Sequence, residues 1–479
     1  MDSSALAWSR EEFGAAELGD TRRAKRLVEL AAVAASRPAG TVSGTFALSA
    51  QREGAFRFLE NDAIDAMAIG DAFYKRTAAR CEVEQTIIVA VDQAALSTVR
   101  DRNGIRGFGP ISSPHRRGTG INVMSALAVT RDGVPLGLLD QKWWVRPQKP
   151  HRILKSGSRH DPRAPEERES DYWLRTMRAS LARLAEHAPG ATPWFQLDRG
   201  GDCHCVLAFA DEEKLLLTVR SRGDRLVQFV NGRQGFIRPV VAARSVAGHY
   251  YVDVPARPGR KARLAKLAVR FMPVPVALRV SQKSERRKPR WFNAVMATEV
   301  CPPRNEAPIS WLLLTTHEVE NVEDALQVVA AYTLRWRLED FHKTWKSGSC
   351  DIEESQLRAR DHFQRWATIM AAVAARIERL KHLARQDPER PATDAYTQDE
   401  IDAALLLRNA DKPDNVRRLR RHTPTLGEMT LWVAQLGGHM GSKPAGSIVL
   451  RRGLELVAIA AATLQALRAS SGNGRSGQS

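Results

Sequence analysis

Two aspartates and one helix face hold the residue types for phosphodiester chemistry. Asp92 ends the apolar run Thr86-Ile87-Ile88-Val89-Ala90-Val91, and Asp198 ends Trp194-Phe195-Gln196-Leu197. Each run reads as a buried strand, so each acid is expected at a strand end, where open α/β sheets bind ligands. The ordinary alternative is that either Asp caps the turn that follows. A helix expected from Val322 to about Gln386 carries Tyr332, Arg335, Glu339 and Lys346. At 100° per residue these four share an arc of ~60°, with Lys343 close to it. One carboxylate among phosphate-binding groups suits a phosphodiester held with a metal ion. The competing reading is a solvated face whose Arg335–Glu339 pair contributes roughly a few tenths of a kcal/mol.

The elements that must position these residues follow the apolar pattern. Residues 1–75 read as helical, with Asp20 or Thr21 capping a helix that opens on Arg22, Arg23, Lys25 and Arg26. After the strand at 86–91 come Gly120 to Val129 and Val134 to Trp143, joined by the hairpin signal Arg131-Asp132-Gly133. A polar loop (146–165), a helix from Glu167 to Glu186, the strand before Asp198 and a strand from Lys214 to Arg220 complete a mixed α/β order. Residues 223–318 change texture to short alternating strands, among them Tyr250 to Val254, Val276 to Val280 and Trp291 to Ala297, closing on Trp311 to Thr316. The tail from 388 is helical, with a basic cluster at Arg417, Arg418, Arg420 and Arg421 that fits either DNA or a solvated helix face.

Composition narrows the partner. Over 479 residues, Lys+Arg 72 against Asp+Glu 54 gives +18, a balance that favours a polyanion. The charge is uneven: 223–318 holds 17 basic and 6 acidic residues, a net of +11, whereas 1–75 holds 9 and 11, a net of −2. Hydrophobic residues at 43% argue against wholesale disorder. No apolar run reaches ~18 residues, so no membrane span is expected, and Met1 to Asp20 lacks a signal-peptide core. Five scattered cysteines fit a reducing cytoplasm. Cys203-His204-Cys205 lacks the spacing of a zinc site and reads as packing.

Tyr332-Thr333-Leu334-Arg335-Trp336-Arg337-Leu338-Glu339-Asp340-Phe341-His342-Lys343-Thr344-Trp345-Lys346 resembles the Y-(2)-R-(3)-E-(6)-K signature of the Tn-five-like insertion-sequence transposases of bacteria. Flanking segments resemble the same family in order: Leu18-Gly19-Asp20 with its arginines, Glu53 to Phe58, Trp143 to Pro147, Asp198-Arg199-Gly200-Gly201-Asp202, Trp311 to Thr315, and Leu436 to Lys443.

The resemblance implies an RNase-H-like mixed sheet with a large β insertion, flanked by helical N- and C-terminal domains. Its expected division is 1–75 for binding transposon ends, 76–222 with 319–370 for the catalytic core, 223–318 for the insertion and 371–479 for dimerisation. Asp198 and Glu339 are 141 residues apart, and without the 96 residues of 223–318 that separation is 45, a reasonable core length. By resemblance Asp92, Asp198 and Glu339 form a catalytic triad holding two Mg²⁺ ions, which Mn²⁺ could replace. Tyr332, Arg335, Lys346 and Lys343 would hold DNA phosphates, with Arg220, Arg222, Arg22, Arg23 and Arg26 as further DNA contacts. Trp311 would stack on a flipped base, with Trp336 as a second aromatic near the signature, and the alternative for Trp311 is a core residue at a strand start.

The implied activity is cleavage at terminal inverted repeats of double-stranded DNA, hairpin formation and opening, and strand transfer into target DNA. It would be carried out by a homodimer in the bacterial cytoplasm, at the nucleoid and not at a membrane. The sequence departs from the family at Gln93-Ala94, where Thr-Thr is usual, and at Gly200-Gly201, where Glu-Ala is usual. A catalytically inactive or domesticated DNA-binding derivative is the rival reading, and a structure-specific nuclease on the same fold is a second.

Overall fold

A computed structural model describes residues 4–97, 105–111, 118–147, 168–229, 234–256, 260–279, 287–410, 423–441 and 444–473. The basic cluster Arg417–Arg421, most of the polar loop 146–165, and Ser442-Lys443 lie outside the described residues.

Five helices open the chain: α1 (Ser4–Phe13), α2 (Thr21–Ser36), α3 (Val42–Thr45), α4 (Ser49–Leu59) and α5 (Ala66–Arg80). Asp20 caps α2 by accepting from the Arg22 amide, and Asp65 caps α5 in the same way from Met67. Next come β1 (Thr86–Ser97), β2 (Gly109–Pro110), β3 (Thr119–Val129), β4 (Pro135–Trp144), α6 (Glu169–His187), β5 (Thr192–Leu197), α7 (His204–Glu212) and β6 (Leu216–Arg220). Residues 223–318 supply β7 (Leu226–Gln228), β8 (Gln234–Phe236), α8 (Ile237–Ala242), β9 (Gly248–Val254), β10 (Arg263–Arg279), β11 (Arg287–Glu299) and β12 (Ser310–Thr315). Helices α9 (Val322–Thr333), α10 (Trp336–Lys346), α11 (Arg360–Gln386), α12 (Gln398–Ala410), α13 (Leu426–Leu436) and α14 (Ser447–Asn473) close it.

The twelve strands among the described residues join one mixed sheet in the order β2-β3-β1-β5-β6-β12-β11-β10-β7-β8, with β4 on β3 and β9 on β10. Strands β1, β5 and β6 run parallel, and the remaining pairs are antiparallel. The basic strands of 223–318 therefore extend the sheet from β6 outward. Alternation along β1 serves two cores: Ile88 and Ala90 face α9, α10 and α11, while Ile87, Val89 and Val91 face α6 and α7.

Four expectations are corrected. Asp92 is not at a strand end, because β1 continues to Ser97 against β3. What ends there is the parallel pairing, whose last register is Val91 beside Leu197. The helix expected over 322–386 is three helices. At Leu334 and Arg335 the amides bond three residues back, to Ala331 and Tyr332, which tightens one turn and separates α9 from α10. A second break spans 347–359, where a Cβ on Gly348 would lie 2.8 Å from the Lys343 carbonyl oxygen. Finally, two expected boundaries cut helices: 75/76 falls inside α5 and 370/371 inside α11.

Candidate active site

The β1–β5 register builds the site. One step beyond Val91 and Leu197 are Asp92 and Asp198, side by side on the sheet face that α10 covers. Asp92 accepts from the Gln93 amide at 2.7 Å, and Asp198 from the Gly200 amide at 2.7 Å. Helix α10 sets Leu338, Phe341 and Trp345 into the core, which leaves Glu339 exposed at the rim. Arg335 precedes α10 and joins the elements. Its Nη1 donates to Asp92 Oδ2 at 3.0 Å and its Nη2 to Glu339 Oε1 at 2.6 Å.

The electrostatics follow from burial. Asp92 is pushed up to about 7, first by burial and then by the neighbouring Asp198 charge, against the pull of Arg335. Arg335 is 6% exposed. Burial disfavours its charge, yet Tyr332, Asp92 and Glu339 together hold its pKa above the usual arginine value. Its guanidinium also lies 5.7 Å from the centre of the Tyr332 ring.

The signature residues divide. Tyr332 is buried beneath Arg335, so its hydroxyl is not presented to solvent. Burial raises it, and the nearby Arg335 and Arg220 offset part of that. Lys346 is half-buried, 3.7 Å from Glu353, while Lys343 is exposed. Trp311, 4% exposed, is packed edge-on by Tyr332 at 5.5 Å and Trp336 at 6.1 Å. For Trp311 this favours the core alternative over an open stacking platform. Trp336 is half-buried at the start of α10.

Arg220 ends β6 and donates to the Ser310 carbonyl at 3.2 Å, and Arg222 beside it is exposed. Among the N-terminal arginines, Arg22 is exposed and pairs with Asp20 at 2.9 Å. Arg23 instead braces the fold, donating to the carbonyls of Leu18 at 2.9 Å and Ala63 at 3.4 Å. Arg26 pairs with Glu29 at 3.0 Å and lies over Gly54, where a Cβ would meet its guanidinium at 1.6 Å.

Both sequence departures are accommodated locally. Gln93 Nε2 donates to Asn122 Oδ1 at 3.3 Å. At Gly201 a Cβ would come within 2.6 Å of the Leu197 side chain, so the bare backbone permits the close turn after Asp198. Cys203 and Cys205 place their sulfurs 3.2 Å apart against the core, as packing requires.

Two contacts were not foreseen from sequence. Glu353 accepts from Ser97 N at 2.8 Å and Ser97 Oγ at 3.0 Å, tying the end of β1 to the residue that faces Lys346. Next to Glu339, Asp340 lies near Glu378 and His382 of α11. His382 Nε2 is 3.4 Å from Glu378 and 3.8 Å from Asp340. The Lys381 ammonium pairs directly with Glu378 and Thr344 donates to it at 2.5 Å, so this second cluster carries its own cation.

A carboxylate triad of hard oxygen donors suits Mg²⁺ or Mn²⁺. A buried acid pushed up by another acid is what a divalent cation would relieve.

Residues 5–64 match the family model for transposase DNA-binding domains, and residues 140–375 match the model for the transposase DDE domain. The second match covers Asp198 and Glu339 and begins after Asp92, so the β1–β5 register is what brings Asp92 to the site. A DDE domain implies an RNase-H-like fold, in accord with the mixed α/β sheet. No described helix is long and apolar enough to cross a membrane.

Proposed function

We propose that this chain is a DDE transposase, which cuts and joins DNA at terminal inverted repeats with Asp92, Asp198 and Glu339 as its metal-holding triad. The observation that carries the reading is the register that sets Asp92 beside Asp198, closed by the Arg335 bridge from Asp92 to Glu339. Asp92, Asp198 and Glu339 would hold divalent cations, which when bound would supply Lewis-acid stabilisation of the attacking and leaving oxygens. The protein then needs no nucleophile of its own, because water or a DNA 3′-hydroxyl attacks.

The remaining residues hold and orient the strand. Exposed Arg222 and Lys343, with half-buried Arg220 and Lys346, offer groups suited to phosphate oxygens. Arg335 sits inward of them and offsets part of the rise that burial and Asp198 impose on Asp92. In this reading water nicks the transposon end, and the freed 3′-hydroxyl attacks the opposite strand to close a hairpin. Water reopens the hairpin, and the same 3′-hydroxyl attacks target DNA. A hairpin demands a sharp bend and a flipped base, which costs a few kcal/mol and is offset by stacking. Trp336, half-buried at the start of α10, is an aromatic that could serve there. A homodimer would synapse the two ends, each protomer binding one.

The test uses the full chain, Mg²⁺ and a duplex carrying the inverted repeat that flanks its own gene. Nicked, hairpin and strand-transfer products are expected. Binding without any cleavage would place the protein among inactive DNA-binding derivatives, and nicking without hairpins or strand transfer would make it a nuclease. Glu339→Ala should bind the duplex and leave it intact.

A further inference from the structure

We propose that Asp202 is a positioning residue. It locks the loop carrying Asp198 to the turn carrying Arg222, and so fixes the distance between a metal-holding carboxylate and a DNA-phosphate contact. The inference rests on the transposase reading above and adds a residue to it.

The Asp202 side chain is 2% exposed, and both of its oxygens are used. Oδ1 accepts from Arg225 Nε at 2.8 Å and Nη2 at 2.5 Å, a two-point contact. Oδ2 accepts from the Arg222 amide at 2.7 Å, with Ser221 Oγ at 3.2 Å. The Asp202 carbonyl accepts again from Arg225 Nη2 at 2.9 Å.

On one side, a single 3₁₀ turn (Arg199–Gly201) connects Asp202 to Asp198, with Gly200 N on the Asp198 carboxylate. On the other, the Ser221 amide bonds the Leu312 carbonyl of β12 at 2.7 Å, so the segment is tied to the sheet as well. The backbone of Arg222 is thereby pinned while its side chain remains exposed. The guanidinium of Arg225 faces inward onto Asp202, which makes it a strut and not a DNA contact.

This geometry needs a carboxylate. Every oxygen of Asp202 faces an N–H, so an asparagine in either orientation would turn its NH₂ toward a donor. An isosteric loss of charge therefore leaves buried groups unmatched and releases the 221–225 turn. A released turn no longer holds Arg222 against the phosphate, so the cost of losing Asp202 should be felt through Arg222.

The experiment is a double-mutant cycle on the full chain, read by anisotropy with a fluorescein-labelled duplex of the flanking inverted repeat over a range of salt. Asp202→Asn and Arg222→Ala should each weaken binding about tenfold and reduce the salt slope by about 1. The double variant should be no weaker than either single one, because both remove the same contact. Wild-type affinity and slope in Asp202→Asn, whatever its melting temperature, would overturn the proposal, as would fully additive losses in the double variant. Should Asp202→Asn fail to fold, Arg225→Lys keeps the charge, removes the two-point contact and enters the same cycle. A wild-type protein that neither binds nor cuts the duplex would sink the transposase reading instead.

Discussion

Arg335 donates to Asp92 at 3.0 Å across 243 positions of sequence, and its other terminal nitrogen reaches Glu339. One buried guanidinium thus couples two of the three carboxylates. Its positive charge lowers the Asp92 pKa, which burial and Asp198 would otherwise carry above about 7. Arg335→Gln should therefore move Asp92 further up. In a pH–rate profile of nicking, the acidic limb should shift to higher pH, with the neutral-pH rate down at least about 10-fold. An unmoved limb would remove Arg335 from control of Asp92.

The two tryptophans of the site should behave differently. Trp311 is almost fully buried between Tyr332 and Trp336, so Trp311→Ala should create a cavity and destabilise the fold by about 3–5 kcal/mol. Trp336 is only half-buried, so Trp336→Ala should leave nicking near wild type and reduce hairpin yield several-fold. Denaturation curves and product gels read the two effects separately. A stable Trp311→Ala that loses hairpins alone would restore Trp311 as the stacking platform.

The contrast between these tryptophans marks where sequence reading stops. Apolar runs identified β1 and β5 because buried parallel strands are continuously apolar. Periodicity does not name a strand's partner, so the adjacency of Asp92 and Asp198 rested on resemblance until the register was known. A shared helical arc told which of Tyr332, Arg335, Glu339 and Lys346 lie together. It did not tell that the arc faces partly into the core, with Tyr332 and Arg335 buried and Glu339 at the rim. No Gly or Pro marks the break at Leu334-Arg335, whereas Ser347-Gly348-Ser349 does mark the next one. The anchoring of Asp202 was invisible for a simpler reason: Arg225 lies beyond α7, β6 and a turn, and only the fold brings the two together.

Arg365 of α11 is 5% exposed and donates to the carbonyls of Leu59 and Ile64, both at 2.6 Å. Its neighbour Trp366 donates to the Gly40 carbonyl at 2.9 Å. These bonds dock the segment matched as a DNA-binding domain onto the long helix behind α10. Arg365→Met keeps most of the packing and leaves two carbonyls without donors, so about 2–4 kcal/mol of stability should be lost. Hydrogen exchange should quicken around residues 59–64. Unchanged stability and exchange would show that water replaces the guanidinium without penalty.

Glu378 gives the clearest pH dependence of stability. Burial alone would raise its carboxyl, but His382, Lys381 and Thr344 overcome this and hold it at about 2, below the ordinary glutamate value of 4.5. A carboxyl depressed in the folded state contributes stability above its unfolded pKa and loses it as pH falls toward the folded one. The contribution should therefore be complete above about pH 4.5 and vanish near pH 2, with an upper bound of about 3 kcal/mol from the size of the shift. Glu378→Gln should destabilise the protein at neutral pH and flatten the stability curve between those limits. Urea midpoints at closely spaced pH values would read both effects, and a variant whose acid slope matches wild type would assign the acid sensitivity to other carboxylates.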